Sequence, residues 1–117
     1  MQDYRKLDVW KLSHELTMQI YRVTAEFPAD ERYNLTSQIR RSCVSIPSNI
    51  AEGCGRSSNA ELMRFLYIAM GSAQELDYQL FLSAELTYIP KPTYDKTKEQ
   101  LTILQKKLNR FIQTLKY

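Results

Sequence analysis

The chain has 117 residues, of which 44% are hydrophobic and 25% charged, and a formal net charge of +3, enough material for one domain with one real core. Three glycines and four prolines are too few for the turns of a strand-rich fold. No apolar run approaches the ~20 residues of a membrane span, and the N-terminal stretch Met1-Gln2-Asp3-Tyr4-Arg5-Lys6 lacks the apolar segment of a signal peptide, so the expectation is a single helical domain over residues 1–117, cytoplasmic and not membrane-bound.

Val9, Leu12, Leu16, Ile20 and Val23 recur at three- and four-residue steps and predict the first helix, with Asp8 as its N-cap. Phe27-Pro28 ends it, because the residue before proline is pushed out of the α region. The second helix is predicted from about Leu35 to Gly53, with Gly53-Cys54-Gly55 as its stop. It contains Pro47, which removes one backbone N–H and crowds the Cys43 carbonyl at a cost of about 3 kcal/mol. Ser58-Asn59-Ala60-Glu61 has capping-box spacing. It opens a long third helix with Leu62, Leu66, Ala69, Ala73, Leu76 and Leu80 on one face, ending near Leu86. Ile89-Pro90-Lys91-Pro92 is a stiff break. Thr93 is the predicted cap of a fourth helix whose face is Leu101, Leu104, Leu108, Ile112 and Leu115. Short connections make neighbours antiparallel, and steps near 3.5 residues per turn are those of left-handed bundle packing. The predicted fold is all-α, an antiparallel up-down-up-down four-helix bundle whose second helix carries a proline.

Two helices are more apolar than one bundle requires. On a wheel of helix 2, Ile39, Cys43, Val44, Ile46, Pro47, Ile50, Ala51 and Cys54 fill an arc of roughly 160°. Around the core row of helix 3, Met63, Tyr67, Met70, Tyr78 and Phe81 widen the arc beyond about 200°, where a surface helix needs little more than ~100°. The excess predicts a homo-oligomer with Val44, Pro47, Ala51, Met63, Tyr67, Met70, Tyr78 and Phe81 in its interface. Arg40 and Asp77 each stand inside an apolar arc and are candidates to pair, with Glu75 the substitute acid.

Charge is uneven along the chain. Residues 91–117 hold seven Lys/Arg against two Asp/Glu, whereas residues 57–90 hold one against four. Arg40, Arg41, Arg56 and Arg64 on helices 2 and 3, with Lys106, Lys107 and Arg110 on helix 4, are the candidate phosphate contacts. The eight tyrosines sit mostly at core spacing and do not argue for a base-stacking platform.

Catalysis finds little support. The single histidine, His14, rules out a His-based metal cluster, and Gly-x-Ser-x-Gly, Cys-x-x-Cys and Glu-x-x-His are absent. No catalytic residue, metal or cofactor is expected. If both lie on one continuous helix, Cys43 and Cys54 are about 16 Å apart at ~1.5 Å per residue, too far for a disulfide.

Asp8-Val9-Trp10, Phe27-Pro28, Glu31-Arg32-Tyr33, Leu35-Thr36-Ser37-Gln38-Ile39-Arg40-Arg41-Ser42 and Ser45-Ile46-Pro47-Ser48-Asn49-Ile50-Ala51-Glu52-Gly53 together resemble the four-helix-bundle proteins encoded in intervening sequences of bacterial 23S rRNA genes. Glu61-Leu62-x-Arg64-Phe65-Leu66 and Gly71-Ser72-Ala73-x-Glu75-Leu76 extend the resemblance to roughly residues 7–90. Asn34 stands where that family usually has glycine, in a turn where a left-handed residue is expected. The resemblance implies a homopentameric ring, and a relative in the accessory protein of diversity-generating retroelements, a basic oligomer that binds nucleic acid and a reverse transcriptase. Most members have no established activity, and the ribosomal label some carry reflects gene location. The leading expectation is a non-catalytic oligomeric module that binds RNA or DNA. The alternative is a homo-oligomeric scaffold for a protein partner, without nucleic-acid binding.

Overall fold

A computed structural model describes residues 2–116. Four α-helices follow one another: α1 (Asp8–Thr24), α2 (Leu35–Cys54), α3 (Asn59–Glu85) and α4 (Lys91–Leu115), with 3-10 turns at Tyr4–Lys6 and Ala29–Glu31. Each helix packs on its chain neighbour, and α1 also packs on α4, which closes the up-down-up-down square. The molecule is 44 Å long and 20–24 Å across.

The predicted apolar rows form the core. Leu16, Ile20, Ile39, Ile46, Ile50, Leu66, Leu76, Leu80, Leu101, Leu104 and Leu108 are wholly buried, each worth about 1.5–3 kcal/mol of transfer free energy before the cost of ordering the chain. Cys43 and Cys54 are buried free thiols. Burial pushes the Cys43 thiol up to about 11.

Helix starts and stops depart from the expected pattern in several places. Asp8 lies inside the first turn of α1, and Leu7 holds the cap position without a side-chain bond. A carboxylate there still suits the positive end of the helix dipole. Thr93 is likewise interior, because α4 begins at Lys91 behind Pro90; the two prolines are already held at helical entry angles and start the helix early. Asn34 is not left-handed (φ −126°). Ser58 caps α3 as expected, accepting from the Glu61 backbone N–H at 3.2 Å.

Gly53 is helical, and α2 runs on to Cys54. The glycine marks a close approach: an added Cβ would lie 2.9 Å from Leu62 Cδ1 and 3.0 Å from Phe65 Cβ on α3. Pro47 sits within an uninterrupted α2. Two residues on, the Asn49 side-chain amide donates to the Ser45 carbonyl at 2.8 Å, and the Ser45 and Ser72 hydroxyls meet at 2.8 Å across the α2–α3 seam.

Candidate anion-binding groove between two helices

Arg40 pairs with neither of its expected acids. Its Nε donates to the Thr24 hydroxyl on α1 at 2.9 Å, and its guanidinium lies 4.6 Å from the centre of the Tyr21 ring. Asp77 instead accepts from Lys98 Nζ of α4 at 2.5 Å, and Glu75 accepts from the Ser42 hydroxyl at 3.1 Å. The reason is rotational. Arg40 stands on the α1 side of α2, whereas Glu75 meets α2 and Asp77 meets α4 on other faces of α3.

That side of α2 borders an open groove of about 540 Å³, lined by Tyr21 of α1, Arg32 and Tyr33 of the preceding turn, and Thr36, Ser37, Arg40, Arg41, Val44 and Ser45 of α2. A second hollow of about 250 Å³ adjoins it and shares Arg32, Thr36 and Arg40. Helical spacing explains the grouping. Thr36 and Arg40 are four residues apart on α2, as are Ser37 and Arg41, so each pair stacks along one side of the helix, and Arg32 and Tyr33 reach the groove from the turn before it.

The groove is electropositive. Ion pairs among the described residues are Arg56–Glu52, Lys91–Asp95 and Lys98–Asp77, so Arg32, Arg40 and Arg41 have no carboxylate partner there. The guanidinium of Arg32 lies 5.9 Å from the Tyr33 ring centre. Tyr33 itself is 88% exposed. Thr36 is 7% exposed, and its hydroxyl has no hydrogen-bond partner. Other buried hydroxyls are bonded: Thr24 donates to the Ile20 carbonyl at 2.7 Å, Ser83 to the Gln79 carbonyl at 2.8 Å and Ser42 to Glu75 at 3.1 Å.

The seven predicted phosphate contacts do not converge. Arg40 and Arg41 share the groove. Lys107 and Arg110 line a separate hollow with Asp8, Val9 and Phe111, near the opposite end of α1 from Tyr21, about 18 Å away at ~1.5 Å per residue. Lys106 is exposed on the same helix. Arg56 is neutralised by Glu52 at 3.1 Å, and Arg56 and Arg64 both lie over the Phe65 ring, at 4.8 and 6.0 Å. Tyr21, Arg32, Tyr33 and Thr36 belong to the groove and were not legible as site residues. The four-residue steps from Thr36 to Arg40 and from Ser37 to Arg41 within the predicted helix were the available signal.

The apolar arcs divide similarly. Met63 and Met70 pack against the core, and Pro47 and Ala51 are half-buried. Tyr67, Tyr78 and Phe81 are each more than half exposed, and Val44 is 37% exposed. Tyr4, Tyr88 and Tyr94 pack against the core, whereas Tyr21, Tyr33, Tyr67 and Tyr78 are exposed, so core spacing accounts for only part of the tyrosines.

No group of three His, Cys, Asp or Glu side chains among the described residues stands close enough to hold a metal ion. No described helix is long and apolar enough to cross a membrane.

A sequence model of the 23S rRNA-intervening sequence protein family matches residues 5–110. The chain is also similar to a crystal structure of a protein of unknown function from the S23 ribosomal protein family of Bacteroides thetaiotaomicron. The two are 30% identical and superpose with a TM-score of 0.81 over 89% of this chain and 97% of the other. No curated protein matches the chain.

Proposed function

Given that the chain belongs to the 23S rRNA-intervening sequence protein family, we propose that it is a non-catalytic, homo-oligomeric module that binds RNA or DNA through basic surfaces centred on the α1–α2 groove. One observation carries this reading. Three guanidinium groups border one groove that no carboxylate lines, and none of them forms an ion pair among the described residues, although Arg41 also faces a hollow shared with Glu75. Uncompensated like charge of this kind favours an anionic partner, and guanidinium forks match phosphate oxygens. Lys106, Lys107 and Arg110 extend the positive surface at the far end. A ring of copies would multiply such weak contacts through avidity. The exposed Tyr67, Tyr78 and Phe81 supply apolar area for assembly.

The test is a titration of labelled RNA and duplex DNA with protein whose assembled mass is fixed by light scattering. Binding should fall steeply between 50 and 200 mM salt, because phosphate contacts release counterions. Arg41→Ala should weaken it. Absence of binding at low salt by the assembled oligomer would leave the scaffold reading. In that case the same exposed aromatic residues of α3 would serve a protein partner.

A further inference from the structure

We propose that the α1–α2 groove takes single-stranded nucleic acid: a phosphodiester among Arg32, Arg40 and Arg41, with the adjoining unstacked base laid on Tyr33. The inference rests on the nucleic-acid reading above and adds the form of the ligand.

Charge alone would admit a duplex, a single strand or an acidic peptide. Tyr33 separates them. Its ring is 88% exposed on the turn that leads into α2, outside the bundle core, with the Arg32 guanidinium 5.9 Å from its centre. A flat, accessible aromatic face beside unpaired cations is what single-strand binders offer to a splayed base. Inside a duplex every base face is already stacked, so away from its ends the ring would have nothing to receive. An acidic side chain would satisfy the arginines and leave the ring unused.

The groove is also shaped for one strand. Its volume of about 540 Å³ gives room for a phosphodiester and the nucleotide beside it. Arg40 is held by Thr24 at 2.9 Å and by the Tyr21 ring, which fixes its remaining N–H donors before any ligand arrives. Beneath it, the Thr36 hydroxyl is buried and unpartnered. Thr36 lines both the groove and its adjoining hollow, so this neutral donor stands beside Arg32 and Arg40.

The experiment is fluorescence anisotropy at fixed salt with a labelled 12-nucleotide RNA, the same sequence as DNA, and the matching 12-bp duplex. Hexaglutamate serves as the peptide competitor. Single strands should bind at least tenfold more tightly than duplex. Tyr33→Leu should lower single-strand affinity roughly tenfold, the scale of one lost base stack, and bring the ratio toward one. Tyr33→Phe, which keeps the ring, should restore it. Equal or tighter duplex binding, insensitive to Tyr33→Leu, would overturn the single-strand inference and leave nucleic-acid binding standing. No binding of any oligonucleotide at 50 mM salt would overturn both. If hexaglutamate displaces the single strand from the wild type at equal charge concentration, the groove recognises acidic charge alone and the inference fails.

Discussion

Arg40 Nε donates to Thr24 Oγ1 at 2.9 Å, and this bond commits the arginine to the α1–α2 groove and away from the acids of α3. Thr24→Val keeps the shape and removes the acceptor. The Ile20 carbonyl also loses the Thr24 hydroxyl that now bonds it at 2.7 Å. Losing one charge-assisted bond at a half-buried site should cost about 1 kcal/mol, read as a lower urea midpoint. Asp77→Asn should leave the Arg40 geometry intact, because Asp77 belongs to Lys98. An NMR shift of the Arg40 Hε resonance in the Thr24 variant, absent in the Asp77 variant, checks the assignment.

Two glycines should respond to alanine in opposite directions. At Gly53 the new Cβ would meet Leu62 Cδ1, Phe65 Cβ and the Leu62 carbonyl at 2.9, 3.0 and 3.3 Å. The last two belong to the framework of α3 and cannot move aside alone. Overpacking of about 1–3 kcal/mol outweighs the gain of ~1 kcal/mol in helix propensity. Gly71 has nothing within 4 Å of its added Cβ, so Gly71→Ala should stabilise by about 0.5–1 kcal/mol. Denaturant midpoints of the two variants should fall on either side of wild type.

Thr87 ends α3 in the left-handed conformation, φ 64°, and the Tyr88 N–H closes the turn onto the Ser83 carbonyl at 2.9 Å. A β-branched residue is poorly suited there, and the left-handed region costs an L-residue roughly 1–2 kcal/mol. Thr87→Gly should raise stability by about 0.5–1 kcal/mol, part of the relief being offset by the freer unfolded chain. A fall in thermal midpoint would contradict this account of the cap.

The Tyr88 hydroxyl donates to Glu31 Oε2 at 2.8 Å, tying the α1–α2 turn to the α3–α4 turn, where Tyr88 also packs on Phe27 at 5.5 Å. This bond, helped by the Leu35 N–H and the Asn34 amide and opposed by burial, holds the Glu31 carboxyl below its ordinary range. The same bond, with burial and the charges of Glu31 and Asp30, pushes the Tyr88 phenol upward. A lowered carboxyl contributes stability above its unfolded value and loses it as pH falls through the folded one. A raised phenol contributes below its unfolded value and loses that as pH rises through the folded one. The stability difference between wild type and Tyr88→Phe should therefore be flat between the ordinary carboxylate and phenol ranges (~4.3 and ~10) and shrink outside them. Urea titrations across pH would show it.

The sequence by itself determined the bundle. Apolar rows such as Leu62, Leu66, Ala69, Ala73, Leu76 and Leu80 recur at a period that allows only helices with one buried face, and short connections allow only antiparallel neighbours. It also determined the α3 cap at Ser58, because that signal lies within four residues. What surrounds Arg40 was a tertiary decision. The sequence places Arg40 on an apolar arc but does not say which neighbour faces it, and the rotation of α1 and α3 about their axes chose Thr24 and Tyr21 over Asp77 and Glu75. Arg32, Tyr33, Thr36, Arg40 and Arg41 share one groove because they lie on α2 and its entry turn, and α1 closes it with Tyr21; Lys107 and Arg110 stand on α4, in a hollow at the other end of α1. Periodicity fixes which face of a helix is buried; side-chain packing across the seams decides which polar groups meet.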